Sequence, residues 1–220
     1  MVNIVLASLY VGIGLVALGM AVVIARKGRS ITNKSFALSG GLFALFAFLN
    51  ALSHLELFGS VDEVNWLAIL ISTSFVLAPL GMLFSAITIY YGEYHIRNKR
   101  LMIATGIYTI VQLLIIGVDR FFLTGHDEVL AVQANAANNI LVAGLTTVIT
   151  FLFYKTSQPL ENPLKRQVQM LVGGFGLATI GLVVFSLFQA LLLDSFLAYP
   201  LIIILAGVMI ALISFERQKN

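Results

Sequence analysis

The chain has 220 residues, of which 60% are hydrophobic and only 10% charged, and its formal net charge is +3. That balance excludes a water-soluble fold of this size, whose solvated face would itself have to be apolar. The absence of cysteine excludes disulfides, thiolate metal sites and a cysteine nucleophile. No basic cluster with interleaved aromatics supports nucleic-acid binding.

Seven apolar runs, at about 3–25, 36–58, 65–91, 101–118, 136–154, 168–193 and 197–215, are long enough to cross a bilayer as helices. The expected fold is all-α: a polytopic membrane protein forming one seven-transmembrane-helix bundle over residues 1–220. The first run lacks a charged leader and a convincing cleavage site, and reads as a retained helix. In the second, Gly40, Ala44, Ala47, Ala51 and His54 share a face, with Asn50 beside it. The third carries Ser74, Ala78, Gly81, Ser85 and Thr88 at helical spacing, and Pro79 interrupts its middle. Pro79 removes the N–H that would bond the carbonyl of Phe75, which predicts a kink, either a static bend or a hinge. The fourth run has Thr105, Thr109, Gln112 and Asp119, the fifth Asn135, Asn139, Ala143, Thr146 and Thr150. The sixth has Gln167, Gly174, Ala178, Gly181 and Gln189. Small residues let membrane helices approach closely and amides or hydroxyls bond across the gap, so these stripes predict packing seams.

Seven crossings place the termini on opposite sides, and basic residues choose which. Of the 13 Lys and Arg residues, all but Arg120 follow the first, third, fifth and seventh runs. By the positive-inside rule that side is cytoplasmic, the N-terminus is outside, and the chain belongs in the cell (plasma) membrane. The longest connection, about Arg120 to Gln133, is then an extracytoplasmic loop carrying His126, Asp127 and Glu128.

Depth along the runs groups Asn50, His54, Gln112, Asp119, Asn139 and Gln189 just below the outer surface. Ionisable side chains within a span turn inward because lipid exposure costs several kcal/mol. The group therefore predicts a shallow, outward-opening polar pocket, with His54 and Asp119 as charged anchors and the amides fixing orientation; the alternative is an interfacial charge and a satisfied interior histidine. The seventh run has no Schiff-base lysine, and only His54 could serve as an intramembrane haem ligand. No zinc-protease, nucleophile-elbow or phosphate-loop motif occurs, and no acidic residue lies at the midplane as a coupled transporter would need. Neither an enzyme nor a cofactor or metal protein is expected.

From residue 4 to 118 the sequence resembles the seven-helix N-terminal membrane sensor region of prokaryotic histidine kinases. The first helix ends in a basic loop, ARKGRSITNK, and the second carries small residues and aromatics, GGLFALFAFLNALSHLEL. The third has a proline segment running into an aromatic and glycine exit, FVLAPLGMLFSAITIYYGE, where Pro79, Phe84, Tyr90, Tyr91 and Gly92 match. Two features depart from that pattern: the second helix has no central tryptophan, and no signalling helix follows the seventh run before FERQKN. The resemblance implies a non-enzymatic sensor- or receptor-like module that binds a small polar ligand or senses the bilayer. It would signal through a membrane-protein partner, a homo-oligomer or an output domain beyond this sequence. An accessory subunit of a larger membrane complex and a small-solute facilitator are the alternatives.

Overall fold

In the computed structural model, which describes residues 4–28, 30–55, 61–92, 98–123, 128–191 and 193–216, all regular structure is helical. The helices are α1 (Ile4–Arg26), α2 (Ile31–His54), α3 (Val61–Tyr91), α4 (Lys99–Val118), α5 (Glu128–Ser157), α6 (Leu164–Ala190) and α7 (Ala198–Glu216). A π-helical turn, Asp119–Leu123, continues α4, and a 3-10 turn, Asp194–Phe196, precedes α7. Six helices are long and apolar enough to cross a membrane; α7 is a shorter apolar helix over Ala198–Ser214. Side chains cap two starts: Ser30 accepts from the Asn33 amide at 3.1 Å, and Asn98 from the Arg100 amide at 2.9 Å.

Helices outrun the apolar stretches that reveal them. The segment expected as a loop from Arg120 to Gln133 holds the π-helical turn and the first turns of α5, which begins at Glu128. His126 and Asp127 lie outside the described residues. Hydropathy marks the part of a helix that suits lipid, whereas backbone hydrogen bonding carries on into polar sequence.

The end of the bundle that holds the C-terminus of α2 and the N-terminus of α3 is called upper below. Sequential helices pack against one another, and α1 packs against α7 to close a ring. The ring has six members, because α3 meets α5 directly and α4 lies outside, touching both. Only Gln112 and Ile116 of α4 are buried, while Met102, Ile103, Ile107, Ile110 and Leu114 face outward.

Small residues set the ring's seams. The predicted stripes on α2 and α3 are interior: Gly40, Ala44, Ala47 and Ala51 are buried, as are Ser74, Ala78, Gly81, Ser85 and Thr88. Ser39 Oγ donates to the Ala78 carbonyl and Ser85 Oγ to the Thr32 carbonyl, so α2 grips α3 at the level of Pro79 and below it. A methyl group at Gly81 would sit 2.5 Å from the Ser35 carbonyl oxygen, closer than any side chain tolerates. The stripe on α4 differs. Thr105 and Thr109 are half-exposed, and their hydroxyls donate to the Leu101 and Thr105 carbonyls of their own helix. A back-bonded threonine carries no unmet polarity, so it needs no interior position.

Three apolar clusters fill the ring. One joins the upper halves of α1, α2 and α7 around Tyr10, Ile13, Ala47 and Leu201. A second joins α3, α4, α5 and α6 around Val76, Ile116, Val142 and Leu182. The third closes the lower half, where Phe36, Phe153 and Phe175 stand with ring centroids 5.8 to 6.1 Å apart.

Candidate functional site, an upper polar chamber

A cavity of about 380 Å³ opens inside the upper end of the ring. Its polar lining comes from α2 (Asn50, Ser53), α3 (Ser72), the π-helical turn (Arg120), α5 (Asn135, Asn138, Asn139) and α6 (Gln189). Tyr10, Phe46, Phe75 and Phe185 form its apolar walls. Three of the six sequence-predicted residues, Asn50, Asn139 and Gln189, line this space. Asn139 Nδ2 donates to Gln189 Oε1 at 3.0 Å, an amide pair that fixes α5 against α6 at the chamber wall. Asn50 Nδ2 donates to the Phe46 carbonyl one turn back, at 3.0 Å.

The other three stand behind the walls. His54 stacks on Tyr10, with ring centroids 5.5 Å apart and 17° between planes, so it backs a wall without facing the cavity. Asp119, 5% exposed, reaches the chamber only through Arg120, whose Nε lies 3.2 Å from its Oδ2. That contact is an ion pair without hydrogen-bond alignment: Arg120 Nε has no aligned acceptor. Gln112 is fully buried beside the α4 axis and donates to the Tyr108 hydroxyl at 3.0 Å, with Oε1 unpartnered. It is a packing amide away from the cavity. Pro79 lies below the chamber, against a central cavity.

Sequence reading missed Arg120, Asn138 and Tyr10 as chamber residues. Asp119 and Arg120, adjacent in sequence at the start of the π-helical turn, both face the bundle interior. Asn138 is off the Asn135–Asn139 stripe by one residue, yet it is 2% exposed and its Oδ1 has no hydrogen-bond partner. An unpaired buried amide oxygen costs about 1–3 kcal/mol.

The chamber thus offers amide and hydroxyl groups and one guanidinium already faced by a carboxylate. Among the described residues no three His, Asp or Glu side chains gather where a metal could be held. The lining suits recognition of an uncharged polar group by hydrogen bonds. In an Asn138→Leu variant the fold should gain about 1 kcal/mol, since an unsatisfied oxygen is exchanged for an apolar group of similar size. Equilibrium unfolding in bicelles measures that gain, and a loss of stability would mean that the oxygen is already satisfied. No family model, curated protein or solved structure matches the chain significantly, and the chamber's role rests on its own residues.

Proposed function

We propose that the chain crosses the membrane seven times, N-terminus outside, as a sensor- or receptor-like module of the cell membrane whose upper chamber binds a small polar ligand. The membrane frame is supported by aromatic side chains exposed at both ends of the bundle. Trp66 and Tyr199 stand at the upper end and Tyr90, Tyr91 and Tyr154 at the lower, the positions of interfacial belts. The basic residues Arg26, Lys27, Lys34, Lys99, Arg100, Lys155, Lys165 and Arg166 all fall at the lower end, which makes it cytoplasmic. The apolar part of α7, Ala198–Ser214, is 17 residues or roughly 26 Å, close to the hydrocarbon thickness, and serves as the seventh crossing.

One observation carries the ligand reading: a cavity of about 380 Å³ walled by five ring helices and lined by amide and hydroxyl side chains. Pro79 in α3 lies directly beneath, so an occupant that moves the upper part of α3 would act on a helix gripped below by α2. That motion would reach the cytoplasmic ends of α2 and α3, where a partner protein or an output domain would read it.

A second reading, an accessory subunit of a larger membrane complex, is favoured by α4, which lies outside the ring with its apolar face uncovered. Facilitated passage of a solute would require the Phe36, Phe153 and Phe175 stack to part. Gentle extraction from native membranes followed by native mass spectrometry separates these functions. A small bound mass that disappears in Asn139→Ala with Gln189→Ala supports the receptor. Stoichiometric membrane subunits held along α4, with no small mass, would replace it by the subunit.

A further inference from the structure

Beneath the polar chamber lies a second cavity of about 100 Å³ on the ring axis. The two share Tyr10, Phe46, Phe75, Asn139 and Phe185, so the floor of one is the mouth of the other. All six ring helices line the lower cavity and α4 does not. Its side chains are almost wholly apolar: Ile13, Val142, Leu182 and Ile204 among them, with Met20 and Met82 lower down. Both threonine hydroxyls present are already satisfied, Thr179 donating to the Phe175 carbonyl at 2.8 Å and Thr146 to the Ala143 carbonyl at 3.0 Å. Phe175, stacked with Phe36 and Phe153, closes the bottom.

We infer that the chamber's ligand is a single-chain amphiphile with an uncharged, hydrogen-bonding head, and that its apolar chain descends past Tyr10, Phe46, Phe75 and Phe185 into the axial cavity. The inference rests on the reading of the upper chamber as a ligand site. The head is defined from above. Asn50, Asn135 and Gln189 offer amides and Ser72 a hydroxyl to a head that hydrogen-bonds, and Arg120 already faces Asp119, so an anionic head would have to compete with a carboxylate. The tail is defined from below. Water gains no hydrogen bonds in a cavity whose polar groups are paired, so an apolar chain displaces it at no polar cost. One narrow lobe admits one chain. Met20 and Met82, unbranched and adaptable, let chains of different length fit.

The test uses the full chain in phosphatidylcholine nanodiscs, free of detergent, because an alkyl maltoside is itself a single-chain amphiphile with a hydroxylated head. The probe is 1-decanoylglycerol with a diazirine at the chain terminus, photolysed and mapped by peptide mass spectrometry. Labels are expected on α3 near Pro79, on α5 near Val142 and on α6 near Leu182. Excess unlabelled 1-decanoylglycerol should reduce them about tenfold, and Val142→Phe should do the same, as a loss of roughly 1.4 kcal/mol of binding. Labels confined to the outward face of α4, at Ile107, Ile110 and Leu114, and indifferent to competitor would overturn the amphiphile. Equal competition by 1,2-didecanoylglycerol would overturn the single chain in favour of a bilayer lipid. If the labels fail but a small water-soluble mass still leaves on Asn139→Ala with Gln189→Ala, the chamber stands and the tail falls. If both fail, both fall.

Discussion

Gly207→Leu should dismantle the α6–α7 seam at the middle of the bundle, the largest effect expected of any single change here. A methyl group at Gly207 would lie 2.5 Å from the Gly174 carbonyl oxygen and 2.6 Å from the Ala178 amide nitrogen, backbone atoms that cannot rotate away. The reciprocal position is as tight, since a methyl at Gly174 would meet the Gly207 carbonyl oxygen at 2.6 Å. In lipid, helices associate through close packing rather than by escape from water, so separating α6 from α7 removes the main attraction along that seam. Overpacking a well-filled core costs about 1–3 kcal/mol where side chains can yield, and more where only backbone can move. Thermal unfolding in nanodiscs, read by circular dichroism with protease susceptibility of α7, should show an early separate loss of α7. Gly173→Leu is the control. A methyl there meets nothing within 4 Å, so the variant should behave as wild type. Equal behaviour of Gly207→Leu and Gly173→Leu would contradict the seam.

The second large effect belongs to the ion pair of the π-helical turn. Asp119 is buried and the Arg120 side chain is 22% exposed, with 3.2 Å between Oδ2 and Nε. Asp119→Ala leaves a largely desolvated guanidinium without its counter-charge and should cost about 3 kcal/mol. Asp119→Ala combined with Arg120→Met removes both charges and should recover most of that loss, because the cost lies in the stranded charge. A double-mutant cycle of unfolding free energies reads the coupling directly. Additive losses would mean that the two side chains act independently. The chamber would change in a further way: without Asp119, Arg120 is released to attract an anion, and Asp119→Ala should shift ligand preference from uncharged toward acidic heads.

Much of the fold was legible because membrane helices announce themselves twice, in apolar length and in small-residue spacing. Gly40, Ala44 and Ala47 on α2 and Ala78, Gly81 and Ser85 on α3 predicted two seams that form, the first against α1 and the second against α2. The ring order was not legible. Nothing in the sequence of α4 says that α3 and α5 will meet and leave it outside, and its threonine stripe pointed the other way. In the chamber, Asn50, Asn139 and Gln189 were readable from depth and helical spacing. Arg120 and Asn138 were not, because each stands one residue beside the polar stripe of its helix, and a stripe read at helical spacing takes one residue per turn. His54 and Gln112 were placed at the correct level, but their neighbours Tyr10 and Tyr108 take up their contacts.

The closing seam of the ring has a consequence for how the protein is made. Gly12 meets Leu205 and Gly19 meets Leu212, so α1 and α7 run in the same direction, as α3 and α5 do, while helices adjacent in sequence run antiparallel. Hairpins can form two at a time as the chain emerges into the bilayer, but the α1–α7 contact joins the most distant parts of the sequence. Until α7 is synthesised, the faces of α1 and α6 that it covers lie against lipid or a chaperone, and the axial cavity has no wall on that side. A parallel seam also leaves its two ends a bilayer apart, so no short linker could join them. The wall of the axial cavity is therefore the last thing biosynthesis completes, and a ribosome stalled before Ala198 would hold six helices with Leu201, Ile204 and Val208 missing from that wall.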